Sequence, residues 1–214
     1  MKTSYLLNIL LAVALVILSV KIVYTGNTDD MNNEITTQQD QNIALENILT
    51  RSSVRAYTDQ AISNEQIDTL MRAAMSAPTA VNKQPWQFLV ITDRAILDSI
   101  ASNFKNIHMA QHAPLAIVVC GDLDKALEGD AQSYWIQDCS AATENILLAA
   151  HGMGLGAVWC GIYPIQQRVD LLRDMLSIPS NLIPLNVIPV GYPKAPQNPK
   201  DKYDSARIHT NSFQ

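Results

Sequence analysis

Apolar residues are massed near the start of the chain, vanish through a polar stretch, then recur with helix and strand spacing. The opening mass, Leu6 to Val20, contains no charge and only Asn8 and Ser19 as polar positions, with Lys2 before it and Lys21 after it. A run of that kind is the core of a signal peptide or a short membrane span. No small-x-small cleavage site and no lipid-accepting cysteine follow, so the expectation over residues 1–25 is an uncleaved signal-anchor. Positive charge ahead of the run and Asp29-Asp30 beyond it place the remainder outside the cytoplasm; Lys21 argues the other way. Residues 26–42 are rich in Asn, Gln, Thr and Asp and read as a linker. Residues 43–214 supply one domain-sized core.

Within that domain the periodicity sets out the elements. Ile43 to Leu49 has the spacing of a short amphipathic helix. Ser63 followed by Gln66 predicts a capping box opening a helix that runs to about Ala74. Trp86 to Thr92 and Leu115 to Cys120 are apolar runs of strand length, the second stopped at Gly121. Arg94 to Ser102 reads as a helix, as does Tyr134 to Ala150, whose small residues permit close packing. Ala157 to Cys160 and Val187 to Val190 are further strands. Helices and strands mix without strict alternation, which indicates an α+β or mixed α/β fold. Gly152 to Gly156 follows a helix and precedes a strand, the reverse of a dinucleotide fingerprint, so it reads as a helix cap and turn.

Composition narrows the chemistry. The 214 residues carry a formal charge of −5 and a pI near 5.2, so nucleic-acid binding is not expected. The three cysteines, Cys120, Cys139 and Cys160, lie in apolar surroundings without close pairing and read as buried free thiols. His108 and His112 have the spacing of paired ligands on a helix, yet no glutamate stands beside them and no third ligand is evident; no metal site is expected.

Two stretches point to a ligand. Arg51-Ser52-Ser53-Val54-Arg55 places guanidiniums on either side of hydroxyls, the donor set a phosphate asks for. Ala77 to Trp86 offers the carboxamides of Asn82 and Gln84 beside an aromatic and two prolines, suited to the edge of a flat heterocycle. Lys200 and Lys202, one residue apart, share a side in an extended segment and can add positive charge to the Arg51 group.

Taken in order, Arg51 to Arg55, Ala77 to Trp86, Gly154 to Gly161, Ile188 to Pro193 and Lys200 to Arg207 resemble the motifs of the nitroreductase family. The resemblance implies a nitroreductase-like α+β fold, a central mixed sheet flanked by helices, in an intertwined homodimer that binds FMN at the subunit interface. It implies that Arg51 and Ser53 hold the phosphate and ribityl chain, with Ser52 between them also among the cofactor-binding positions, that Lys200 and Lys202 complete the phosphate clamp, and that Arg55 reaches the pyrimidine side of the ring. Pro78, Thr79 and Ala80 match the segment lying on the ring from the partner subunit, with Asn82 and Gln84 as its amide positions. Cys160 and Gly161 match the main-chain N–H groups facing flavin N5. No side chain is expected to be catalytic in its own right, because the flavin carries the hydride. The implied activity is ping-pong transfer from NAD(P)H to nitroaromatics, quinones or similar acceptors. A redox-carrier module without its own NAD(P)H turnover, or a reductive dehalogenase of the same fold, are the alternatives.

Overall fold

The computed structural model describes Lys21 and residues 42–213. Two compact units are distinguished, Met1–Glu46 and Asn47–Gln214. Helical residues 42–50 form α1. The membrane-anchored, extracytoplasmic placement is corrected here. Among the described residues no helix is long and apolar enough to cross a membrane, and the run Leu6 to Val20 lies outside them. Even α4, Tyr134–Gly152, is interrupted by Asp138 and Glu144.

The second unit is built on a sheet whose order is β1 (Trp86–Ile91), β2 (Leu115–Asp122), β5 (Leu182–Gly191) and β3 (Gly156–Ala157), with β4 (Cys160–Gly161) also paired to β5. The ladders between these strands are all antiparallel. Parallel pairing, which the expectation of a mixed sheet requires, is found among the described residues as the isolated bridge of Ser53 with Ala157.

Every residue of β2 is buried, and its period-two geometry sends alternate side chains to opposite faces. Leu115, Ile117 and Val119 join Leu70 of α2 (Asn64–Met75) and Trp135, Cys139 and Ile146 of α4. Ala116, Val118 and Cys120 join Leu97 and Ile100 of α3 (Arg94–Asn103) and Val169 and Leu172 of α5 (Gln166–Leu176). Each large aliphatic side chain so buried contributes about 1.5–3 kcal/mol. Helices therefore cover both faces of the sheet, and the expected α+β class is the observed one.

Local signals set the boundaries. Ser63 Oγ accepts the Gln66 N–H at 3.2 Å while Gln66 Oε1 accepts the Ser63 N–H at 3.0 Å, the reciprocal box that starts α2. Gly154, at φ +73°, ends the turn after α4, and the Leu155 N–H reaches back to the Ala150 carbonyl at 2.8 Å. β2 runs past the expected stop because Gly121 lets the strand pass directly beneath the Trp135 indole, where a Cβ would have no room. The strand expected over Ala157 to Cys160 divides into β3 and β4, with Val158 and Trp159 between them. Cys120, Cys139 and Cys160 are free and buried; burial pushes the Cys120 thiol up to about 12 and the Cys160 thiol up to about 11.

Candidate functional site

The Arg51 motif is fixed to the scaffold by main-chain pairing on one side and by α4 on the other. The Val54 N–H donates to the Ala157 carbonyl at 3.0 Å, and the Val54 side chain fills the space over Gly156, where a Cβ would stand 2.5 Å from it. Below it, the Tyr57 hydroxyl reaches the carbonyls of Val54 at 2.6 Å and Pro189 at 3.1 Å. Burial holds that phenol far above its usual range. Val54 is thereby turned inward, and Ser53 and Arg55 on either side are exposed.

Side-chain alternation splits the motif between two cavities. Arg51 joins Lys200, Lys202, Tyr203, Ile48 and Leu49 around a cavity of about 650 Å³. Thr50, Ser52 and Val54 line a second cavity of about 380 Å³ on the other side, against His151 and a wall of prolines. The structure therefore unites Arg51 with Lys200 and Lys202 and sends Ser52 elsewhere. Lys200 and Lys202 come from residues 196–204, which have no regular structure. Three cations on one cavity, against the one acid, Asp201, that lines it among the described residues, fit a phosphate group, and the volume is in the ordinary range for a small-molecule site.

Arg51 is held from behind. Its Nε stands 3.1 Å from Glu144 Oε1, and its side chain is only 18% exposed. Two neighbours are held by the same helix. The Asn47 carboxamide donates to the Leu148 carbonyl at 3.1 Å, and Thr50 Oγ1 lies 2.9 Å from His151 Nε2. Positions 144, 148 and 151 share one face of α4.

The Ala77 to Trp86 stretch has a different character. Val81, Asn82 and Gln84 all take positive φ, which a β-branched residue such as Val81 adopts only under constraint. Part of the constraint is local: the Gln84 N–H donates to Thr79 Oγ1 at 3.0 Å, and the Gln84 carboxamide donates to Asn82 Oδ1 at 3.0 Å. The rest comes from α4, where the buried carboxylate of Asp138 accepts the Ala80 N–H at 2.9 Å. Asp138 is thereby the anchor of this segment. Pro78, Asn82 and Gln84 are exposed, and Thr79 and Ala80 half-buried. None of the five lines either cavity.

At β4 the Ile162 N–H donates to the Leu185 carbonyl at 3.0 Å, so strand alternation turns Gly161 away from β5. Its carbonyl is met on that outer side by Arg168 Nη1 at 3.2 Å and Asn106 Nδ2 at 3.4 Å. A Cβ on Gly161 would meet nothing within 4 Å. An open sheet edge with an outward main-chain amide is a docking place for an acceptor atom. Asn106, Asp138 and Glu144 were not legible as partners, because each acts on a residue far away in sequence; Arg168 lies only seven residues from Gly161 but on the next helix.

A two-sided α+β sheet with a phosphate-fitting cavity and an outward main-chain amide along the β3/β4 side of β5 defines a domain of the cofactor-binding class. The sequence profile of the nitroreductase family matches residues 48–107 and 101–192. The chain belongs to the nitroreductase family. A protein of Methanothermobacter thermautotrophicus named "Putative NADH dehydrogenase/NAD(P)H nitroreductase" is 46% identical over 165 residues, 77% of this chain and 85% of that one. A crystal structure of the same name from Parabacteroides distasonis superposes with a TM-score of 0.75 at 46% identity, covering 79% of this chain and 98% of that one. A Desulfovibrio desulfuricans nitroreductase solved in complex with FMN gives 0.70 at 31% identity, covering 80% and 98%.

Proposed function

We propose that the chain is an FMN-dependent NAD(P)H oxidoreductase that delivers reducing equivalents to nitroaromatics, quinones or similar electron-poor acceptors in a ping-pong cycle. The observation that carries this reading is the single cavity formed by Arg51, Lys200 and Lys202. Relatives support it: besides the FMN-bound structure, a Bacillus subtilis FMN reductase (NADPH) is 30% identical over 193 residues.

Arg51, Lys200 and Lys202 hold the phosphate, Arg51 through its planar fork and the lysines as point charges. Ser53 and Arg55 lie on the exposed side of the motif and serve the ribityl chain and the pyrimidine edge. Ser52, turned to the second cavity, supports the motif through its hydroxyl, which donates to the Thr50 carbonyl at 3.4 Å. The main-chain N–H of Gly161 addresses the redox-active edge of the ring, while Cys160, turned toward β5 by the same alternation, fixes the strand that presents it. FMN, when bound, supplies the uptake and release of hydride; the protein supplies grip, orientation and exclusion of water.

Pro78, Thr79, Ala80, Asn82 and Gln84 cap the ring of a partner subunit in a homodimer. Exposed Ile48, Leu49, Val81, Trp159, Ile208 and Phe213 give such a dimer its apolar contact surface.

The test is direct. The purified full-length protein carries FMN, bleaches within seconds when mixed anaerobically with NADH or NADPH, gives parallel double-reciprocal plots, and sediments as a dimer. A colourless protein that refuses added FMN overturns the reading. A yellow protein whose spectrum no nicotinamide donor alters is a redox carrier instead.

A further inference from the structure

Resting on the FMN reading above, we infer that Glu144 is a positioning residue for the phosphate grip: from α4 it orients the Arg51 guanidinium so that its outer nitrogens face the cavity. The contact closes through Nε at 3.1 Å. An arginine held by its Nε keeps Nη1 and Nη2 outside that pair, and those two donors form the fork that takes two phosphate oxygens at once. Arg51 lines the cavity shared with Lys200 and Lys202, so three cationic residues border one volume.

Glu144 does not act alone in fixing the approach. Asn47 and Thr50, from the same stretch as Arg51, contact Leu148 and His151. Three contacts along one helix face strap residues 47–51 to a rigid element. Asn47 and Thr50 fix the main chain, and Glu144 fixes the charged end. A long arginine otherwise spreads over many rotamers, whose loss opposes ligand capture. Glu144 removes that cost in advance, even though its own negative charge adds nothing to phosphate attraction.

The distinguishing measurement compares FMN with riboflavin, which has the same ring and chain without the phosphate. Dissociation constants are read by flavin fluorescence quenching on stripped full-length protein. Glu144→Ala is expected to weaken FMN by about tenfold, the scale of one charge-assisted hydrogen bond, and riboflavin by less than about twofold. Glu144→Gln keeps an oxygen for the Arg51 Nε–H and is expected to restore FMN affinity to within about threefold of wild type. Glu144 is half-exposed, so both variants should fold; Glu144→Ser carries the alanine expectation if that variant does not. In an Arg51→Ala background, Glu144→Ala should add nothing. Wild-type FMN affinity in Glu144→Ala, or an equal loss for both flavins, overturns the inference and leaves the FMN reading standing. A wild-type protein that binds neither flavin overturns both.

Discussion

Asp138 accepts the Ala80 N–H at 2.9 Å from within α4, with only 6% of its surface exposed. Through that one bond the longest helix among the described residues holds an exposed segment in which three residues take positive φ. Asp138→Ala leaves the Ala80 N–H without its acceptor and should cost about 1–3 kcal/mol. Urea denaturation measures the cost. Hydrogen exchange at Ala80 should accelerate more than at β2, since the loss is local; equal acceleration everywhere would contradict the anchoring role.

Arg51→Ala should weaken FMN retention by at least about tenfold, or roughly 1.5–3 kcal/mol for a charge-assisted contact. Arg51→Lys should fall between, because an ammonium cannot make the two-pronged contact. Equilibrium dialysis decides the order. An Arg51→Ala protein that purifies fully yellow removes Arg51 from the clamp.

Two glycines make a paired test. At Gly121 a Cβ would enter the Trp135 indole, whereas at Gly161 it would meet nothing within 4 Å. Gly121→Ala should therefore destabilise the fold by about 1–3 kcal/mol or more, as overpacking does. Gly161→Ala should leave the melting temperature nearly untouched and, if the ring docks at β4 as proposed, weaken flavin binding, because the added methyl enters the open space beside that amide. Thermal melts and flavin titration on both variants separate the two outcomes.

The cysteines set an alkaline limit. Cys160 titrates at about 11 in the fold against an ordinary 9.0, mainly through burial, with Arg55 opposing; Cys120 reaches about 12. The unfolded chain loses these protons first, so the stability they contribute is complete below about pH 9 and falls as pH rises through 11 to 12. Unfolding free energy measured between pH 8 and pH 11 should decline, and Cys160→Ala should flatten the slope. The native thiols should also react slowly with alkylating reagents at neutral pH. Rapid labelling of Cys160 would contradict its burial.

Much of this molecule was legible from residue spacing. The Ser63–Gln66 box and the β1, β2 and α4 patterns are local signals, each written within one element. The helix α5 escaped: no side-chain cap marks its start at Ile165, and its buried residues, Val169 and Leu172, are too few to show a period. β5 extends well before Val187 because prolines at Pro184 and Pro189 mask a strand that remains paired on both sides. For the site, the donors were visible by residue type while their holders were not. Nothing in the stretch around Glu144 announces Arg51 as its partner, since helix and motif are distant in sequence and meet only in the folded chain. The division of Ser52 from Arg51 follows from side-chain alternation, but the two cavities that receive them are formed by residues distant in sequence.

The two walls of the phosphate cavity come from stretches far apart in sequence, one braced on a helix and the other, at residues 196–204, without regular structure. If FMN binds as proposed, its dianionic phosphate between them is a removable clasp, and part of its binding free energy goes to holding the irregular wall. Stripping the flavin should thus free that strand of chain to proteases while the braced wall keeps its shape, so that nicking near Lys200 becomes a gauge of how fully a preparation is loaded.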